Sequence, residues 1–274
     1  MNPGLFDLSG KCFVITGGGG LLGPRHAIAI ARQGGLPVLM DIEKERLEAA
    51  RKSVESAAKK PCAALVADVT QEPSLKAALD HCLEKFGGIA GLINNAAIDA
   101  KVGGGASGLT RLEQFPLDQW NREMAVGLTG AFLCSRIFGG HMAASGKGGV
   151  ILNIASDLAL IAPDQRLYRQ EGVAEDQQPV KPVTYSVIKH ALIGLTRYLA
   201  TYWASKNVRV NALCPGGVKN KQPEEFLRRI QNLIPLGRMA DLDEYEGAVV
   251  FLCSEASAYM TGQLLVMDGG RSVW

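Results

Sequence analysis

Short apolar runs alternate with longer helix-patterned segments along the whole chain, and no other feature of the sequence restricts its fold as much. Residues 11–16 (KCFVIT), Leu36–Asp41 (LPVLMD), 62–68 (CAALVAD), 89–96 (IAGLINNA), 149–156 (GVILNIAS), Val208–Pro215 (VRVNALCP) and 262–270 (GQLLVMDGG) read as strands. Residues 24–33, 43–60, 71–86, 117–144 and 184–206 read as helices, with Pro24 tolerated in a first turn. The Gly-rich stretch 103–108 reads as a loop, and no internal repeat is visible. Helices between successive strands imply right-handed crossovers, parallel pairing and helices on both faces of one sheet. The expectation is an α/β, doubly wound, mainly seven-stranded parallel sheet in one domain over 1–274.

Composition narrows the function classes. The 274 residues carry 29 Lys plus Arg against 27 Asp plus Glu, a net charge of +2. No basic block tracks a phosphate backbone, so nucleic acid is not an expected partner. The six cysteines (Cys12, Cys62, Cys82, Cys134, Cys214, Cys253) are dispersed and form no C-x-x-C pair. That argues against a zinc site or disulfide framework and suits a reducing cytoplasm. The opening MNPGLFDLSGK lacks a basic-then-apolar signal pattern, and no apolar run is long enough for a bilayer. A cytoplasmic protein with a small-molecule substrate, no metal and no membrane partner is expected.

The stretch ITGGGGLLGPRHA joins the first strand to the first helix. A Gly-rich junction of this kind lets backbone approach a pyrophosphate, while the helix N-terminus offers free N–H groups and a positive dipole end. Gly17, Gly20 and Gly23 occupy the junction, although the same pattern also makes a plain tight turn. Asp41 ends the second strand, where a carboxylate accepts hydrogen bonds from both ribose hydroxyls and repels a 2′-phosphate. No arginine follows immediately, which favours NAD over NADP; the other use of an Asp here is to cap the next helix.

Five motifs in order resemble the short-chain dehydrogenase/reductase family over essentially the whole chain. TGGGGLLG resembles its cofactor loop, NNAA (Asn94 to Ala97) its N-N-A-G motif, and YSVIK (Tyr185 to Lys189) its Y-x-x-x-K motif. PGGV (Pro215 to Val218) is similar to its nicotinamide-side loop and MTGQLLVMDGG to its C-terminal segment. The resemblance implies a Rossmann-type fold and a nicotinamide dinucleotide cofactor. It implies cofactor contacts from Gly17, Gly20, Leu22 and Gly23 in the first loop, and from Asp41, Asp68, Val69 and Asn95 near later strand ends. Tyr185, Lys189, Pro215 and Val218 complete that set. The loop departs from the short members: Thr16, Gly17, Gly20 and Gly23 fit T-G-x-x-G-x-x-G, the spacing of the extended, sugar-nucleotide-handling branch, and Leu21 stands where glycine is usual. Leu21 resists a positive φ, so Gly20 is expected to absorb the turn. Chain length, NNAA, the position of YSVIK and the closing DGG belong to the short, single-domain branch.

Tyr185 and Lys189 are four apart and share one face of a helix. A free phenol, with a pKa of about 10, is a poor base at neutral pH. A lysine cation beside it, together with the positive nicotinamide of NAD⁺, favours the phenolate, which takes the alcohol proton as hydride leaves the same carbon. A lone Y-x-x-x-K arises by chance; its place in the fold order gives it weight. The resemblance adds Ser156, ending the fifth strand, as the group that hydrogen-bonds the substrate oxygen. It also sets the tyrosine about a dozen residues after that serine, which lands on Tyr168. Gly172, four residues further, supplies no cation, so Tyr185 is taken as the acid/base and 163–182 as containing an insertion, a substrate-side loop over about 157–183.

The insertion carries Arg166, Arg169 and Lys181. As a lid its arginines grip an anionic or polyhydroxylated substrate by forked hydrogen bonds; as a solvated loop they do not. Substrate contacts are therefore assigned to Ser156, Arg166 and Arg169. Two further departures stand out. Gly127 replaces the asparagine that in the family helps hold a water linking the lysine to solvent, and Asn220 replaces a common threonine.

The expected activity is NAD(P)-dependent hydride transfer between a nicotinamide cofactor and a secondary alcohol or ketone of a sugar or sugar-derived substrate. One alternative is a general short-chain alcohol/ketone or 3-oxoacyl-thioester reductase; Asp41 speaks against the NADPH-dependent thioester enzymes. Another, opened by Gly127, is a non-catalytic dinucleotide-binding protein. Sugar-nucleotide epimerisation needs a substrate domain for which the chain has no room. NIASDLALIAPDQRLY, KPVTYSVIKHALIGLTRYLATYW and DGGRSVW resemble oxidoreductases of flagellin-modification and nonulosonic-acid pathways. Leu192, Leu195, Leu199 and Trp203 form a core stripe on the last long helix, and the resemblance implies that this helix also packs in a homodimer or homotetramer. The closing RSVW is either a subunit contact or a frayed tail.

Overall fold

Alternate side chains of the strands enter two separate cores, as the pleat requires. Phe13 and Ile15 of β1 (Cys12–Thr16) join Leu39 of β2 (Leu36–Asp41) on one face, while Val14, Val38 and Met40 lie on the other. The remaining strands are β3 (Ala63–Val66), β4 (Gly91–Asn94), β5 (Gly149–Ile154), β6 (Val208–Pro215) and β7 (Leu264–Met267). This computed structural model describes residues 4–98, 102 and 110–274, so the Gly-rich stretch 103–108 lies outside the described residues. All seven strands pair in parallel in the order β3-β2-β1-β4-β5-β6-β7. The chain steps outward from β1 to β3, returns to place β4 beside β1, and then steps the other way. The reversal opens a crevice at the carboxyl ends of β1 and β4, where doubly wound sheets bind ligands.

The helices are α1 (Gly23–Arg32), α2 (Lys44–Ala58), α3 (Glu72–Phe86), α4 (Leu117–Met124), α5 (Gly130–Cys134), α6 (Gly140–Ala144), α7 (Val183–Tyr202), α8 (Glu224–Gln231) and α9 (Glu246–Cys253). Ile28 and Ile30 of α1, Leu47 and Val54 of α2 and Val249 of α9 fill the first core. Leu75 of α3, Phe138, Met142 and Leu199 of α7 fill the second, each buried side chain contributing about 1.5–3 kcal/mol. The expected stripe on α7 is core: Leu192, Leu199 and Trp203 are buried and Leu195 packs against them.

Two elements differ from their sequence reading. The stretch 117–144 is helical throughout, but π-helical turns at Ala125–Thr129 and Ser135–Gly139 divide it into α4, α5 and α6. Strands β4 and β5 stop short of their apolar runs because the next residues leave the ladder for the crevice. The Asn95 and Ala96 N–H groups turn to Thr16 Oγ1, each at 3.0 Å, and Ser156 caps a 3₁₀ turn at Asp157–Ala159.

A buried polar chain ties the strand ends to the helix that carries Tyr185. Asn94 Nδ2 donates to Asn153 Oδ1 at 2.8 Å and to Ser135 Oγ at 3.1 Å, and Asn153 Nδ2 donates to Thr196 Oγ1 at 2.8 Å. Sequence reading missed Asn153, Ser135 and Thr196. No helix among the described residues is long and apolar enough to cross a membrane, and no group of three metal-ligating side chains among them could hold a metal ion.

Candidate active site

One cleft of about 1130 Å³ runs from the end of β2 across the β1–β4 crevice to the N-terminal turns of α7. Gly17, Gly20, Leu22, Asp41, Asp68, Val69 and Asn95 line one part, and Ser156, Tyr185, Lys189, Pro215 and Val218 another. Of the residues expected around a cofactor, only Gly23 is not at the cleft wall, and it acts from behind. A Cβ on Gly23 would come within 2.5 Å of the Gly17 carbonyl oxygen, so glycine alone lets α1 approach the loop. The tight turn itself falls on Gly17, with φ +64°, and not on Gly20. Gly17 can take that φ because it lacks a Cβ, which here would lie 2.8 Å from Ala96 Cα. Leu21 therefore needs no neighbour to absorb strain.

This end fits a dinucleotide. Helix α1 starts with no side-chain cap and no acidic residue in its first turn, which leaves N–H groups for a pyrophosphate. Asp41 is held at its post: Oδ2 accepts from Gly19 N at 2.9 Å and Oδ1 from Glu43 N at 3.2 Å. Arg46, from the first turn of α2, also lines the cleft beside Asp41. Asn95 braces the loop from beneath, Nδ2 donating to Thr16 O at 2.9 Å and Gly17 O at 3.1 Å. Asp68 spends Oδ1 on Thr70, through its N–H at 2.8 Å and its hydroxyl at 2.7 Å.

At the other end the structure brings Ser156, Tyr185 and Lys189 to the same wall. Lys189 is buried and Nζ donates to the Ile154 carbonyl at 2.7 Å, which fixes α7 against the end of β5. Its Nζ lies 5.6 Å from the Tyr185 ring centroid, one helical turn away. Ser156 Oγ donates to Asp157 Oδ1 at 2.8 Å and accepts from Leu158 N at 3.2 Å. Asp157 in turn pairs with Arg271 of the C-terminal segment at 2.7 Å, their side chains only 4% and 10% exposed. This pair was not foreseen; the one signal was an acid directly after the serine and an arginine after DGG.

The arginines expected to grip substrate do not reach the cleft. Arg166 is 80% exposed and pairs with Asp164 at 2.7 Å, and Arg169 pairs with Glu175. Each finds an acid within a few residues of its own loop, and a local ion pair in water needs no further ordering. The segment does cover the cleft through other side chains: Leu167, Tyr168 and Lys181 line it. Leu167 packs with Ile230 and Met239, and the Tyr168 ring lies 5.7 Å from Phe226 of α8. Arg229 of α8 stitches the two together by donating to the Arg166 and Arg169 carbonyls at 3.3 and 2.5 Å. Lys181 stands over the Tyr185 ring, its Nζ 4.0 Å from the centroid.

At Gly127 the space beside the backbone belongs to Ile188, whose Cγ2 would lie 2.9 Å from an added Cβ. The position thus offers no polar side chain and no room for one. One turn earlier, Glu123 is buried and accepts from Thr184 Oγ1 and from Gln119 Nε2, the latter at 2.8 Å. Asn220 lines the cleft, its N–H held by Gln222 Oε1 at 2.6 Å.

A dinucleotide cradle at the β1–β4 switch and a Ser–Tyr–Lys wall define an oxidoreductase of the Rossmann type. The chain belongs to the short-chain dehydrogenase/reductase family. A family model described as enoyl-(acyl carrier protein) reductase matches residues 22–272. Galactitol 2-dehydrogenase (L-tagatose-forming) of Cereibacter sphaeroides is 32% identical over 98% of both chains. A 2,5-dichloro-2,5-cyclohexadiene-1,4-diol dehydrogenase of Sphingobium indicum is 31% identical over 96% of this chain and 98% of its own. The structure of a gluconate 5-dehydrogenase from Burkholderia cenocepacia, in complex with NADP and tartrate, superposes with a TM-score of 0.84 at 27% identity, covering 100% of both chains.

Proposed function

We propose that this oxidoreductase moves hydride between NAD and a secondary alcohol that carries further hydroxyls, a polyol or sugar-derived compound. The observation that carries the reading is the meeting of Ser156, Tyr185 and Lys189 at one end of a cleft whose other end is Asp41. A bound nicotinamide dinucleotide supplies the hydride acceptor or donor. Ser156 hydrogen-bonds the substrate oxygen. Its hydroxyl, which donates to Asp157 Oδ1 at 2.8 Å, turns to donate to that oxygen and leaves the alcohol O–H for Tyr185. Tyr185 takes the alcohol proton as the carbon–hydrogen electron pair leaves and the carbonyl forms; in reduction it returns the proton to the oxygen. Lys189, fixed on Ile154 O, favours the phenolate.

Asp41, with both oxygens anchored, meets the ribose hydroxyls and disfavours a 2′-phosphate, which supports NAD as the cofactor. Gly17, Gly20, Leu22 and Gly23 form the pyrophosphate turn, and Asp68, Val69, Asn95, Pro215 and Val218 the walls. The substrate class is supported by relatives whose names specify a polyol, a cyclic diol and a sugar acid. The finer assignment to flagellin-modification and nonulosonic-acid oxidoreductases rests on the runs NIASDLALIAPDQRLY, KPVTYSVIKHALIGLTRYLATYW and DGGRSVW. We read the chain as one cytoplasmic domain with an insertion at 157–183, assembled as a homodimer or homotetramer. Tyr198 and Tyr202, stacked on α7 and 63% and 62% exposed, are suited to such a contact.

The test is a panel of polyols, sugars, sugar acids and acyl ketones with NAD⁺ or NADP⁺, in both directions, followed by nicotinamide absorbance. Polyol oxidation with NAD⁺ is expected, and Tyr185→Phe should cut kcat by about 10²–10⁴-fold. Undiminished turnover in that variant, or a preference for NADP⁺, overturns the corresponding assignment.

A further inference from the structure

Of the three cations in the 157–183 segment, Lys181 alone reaches the cleft, and it does so against the ring of Tyr185. Its Nζ lies 4.0 Å from the ring centroid, nearer than the Lys189 Nζ at 5.6 Å. The backbone that delivers it is fixed. Lys181 N donates to Gln165 Oε1 at 2.9 Å, Val180 N approaches Thr110 Oγ1 at 3.4 Å, and Pro182 is the N-cap of α7. The Gln178 amide further pins the segment, accepting from Gln170 N at 2.8 Å and donating to Val173 O at 2.6 Å. A cation placed this way is attracted by the ring face and also stands beside the phenol it would polarise.

Among the described residues, the charged groups around Tyr185 come from four directions. Its own helix supplies Lys189; the turn after β5 supplies Asp157, already paired with Arg271 of the C-terminal segment. Helix α4 supplies Arg122 on the cleft wall and Glu123, which accepts from Thr184 beside the tyrosine. The fourth is Lys181. Asp157 is neutralised by Arg271, and among the described residues Lys181 is the cation that stands over the ring.

We propose that Lys181 is a positioning residue of the hydride-transfer site, holding the Tyr185 ring by its face and, as a second ammonium beside the phenol, favouring the phenolate. This rests on Tyr185 being the acid/base. It joins two functions in one side chain: the segment that covers the substrate adds to the readying of the base that Lys189 begins.

A tyrosinate absorbance titration of the cofactor-free protein tests this without a substrate. Subtracting the Tyr185→Phe titration isolates one of the six tyrosines. Lys181→Met should move the Tyr185 transition to higher pH by about one unit or more, and Lys181→Arg should leave it near the original. The acidic limb of kcat/KM for alcohol oxidation should move with it, giving about tenfold slower turnover on that limb and little change on the plateau. A Tyr185 transition unmoved in Lys181→Met overturns the proposal. So does a rise in KM with a fixed pH profile, which makes Lys181 a substrate contact. A protein inert toward every alcohol but with the shifted transition overturns the functional reading while upholding the placement of Lys181.

Discussion

The two ends of the cleft are built from different materials. At the dinucleotide end the shape is made by backbone: a left-handed Gly17, a Gly23 with no room for a Cβ, and strand ends that bond directly to the loop. At the substrate end the shape is made by side chains that meet across long sequence distances. Asp157 finds Arg271 and Tyr168 finds Phe226, while Lys181 meets Tyr185 from just before α7. Backbone shape depends on where glycines fall and tolerates little change; side-chain stitching allows one end to be rebuilt for a new substrate while the other keeps its cofactor.

The sharpest way to break this comparison is to cut the stitch at Asp157. Arg271→Met leaves a carboxylate that is nearly buried and unpaired, which costs about 3–5 kcal/mol. Loss of the pair also frees the carboxylate that holds the Ser156 hydroxyl, so kcat should fall along with the urea midpoint. Asp157→Asn combined with Arg271→Met should recover part of the stability. A single variant as stable as the parent would show that the substrate end does not depend on the pair.

The dinucleotide end has its own weak point, behind the loop. His26 of α1 is fully buried and neither ring nitrogen has a hydrogen-bond partner. Burial pushes its imidazole down to about 4 from the ordinary 6.5, with the nearby Asn95 amide offsetting a part. The unfolded chain therefore binds a proton between pH 6.5 and about 4 that the folded chain refuses. The cost is absent above that window, grows as pH falls through it, and reaches roughly 3 kcal/mol at its lower end. His26→Leu should flatten the acid side of the stability profile, measured as urea midpoints at pH 7 and pH 5. An identical slope in both proteins would remove His26 as the source.

The same contrast explains what could be read from the chain. Leu36–Asp41 and Val208–Pro215 were legible to the residue, because an apolar run ended by a turn residue states its own boundaries. That Tyr185 and Lys189 share one face of a helix was legible because they are four residues apart, whereas the distance from Ser156 to Tyr185 was no guide. Arg166 and Arg169 were misread because an arginine's direction depends on which acid is nearest in space, and Asp164 and Glu175 were nearer than the cleft. The turn was assigned to Gly20 instead of Gly17 because four consecutive glycines leave the choice to tertiary contacts. The Asp157–Arg271 pair joins residues 114 apart in the chain, and no local pattern announces it.

Gly23→Ala tests the backbone side directly. The added Cβ meets the Gly17 carbonyl at 2.5 Å, and the loop must shift to admit it, costing about 1–3 kcal/mol. The shift falls on the turn of the dinucleotide cradle, so dinucleotide affinity should drop with stability, while the substrate KM measured at saturating dinucleotide stays close to the parent's. If substrate KM rises as much as the cofactor Kd, the two ends are not separable.

Phe226→Leu makes the smallest change and falls on the stitched side. It keeps an apolar side chain in the cap formed with Leu167, Ile230 and Met239, but removes the ring pair with Tyr168. Such pairs contribute about 0.5–1.5 kcal/mol beyond area burial, so stability should hardly move. Met239 of the cap also packs on Gly217, so a looser cap should raise the substrate KM by about two- to tenfold with a smaller change in cofactor Kd. Lys181 reaches Tyr185 from the far end of the same segment, so if the cap and the base are joined as proposed, the acidic limb of the pH profile should drift upward in this variant as well. A change in KM with no drift would confine the role of Tyr168 and Phe226 to shaping the cleft and leave the placement of Lys181 independent of the cap.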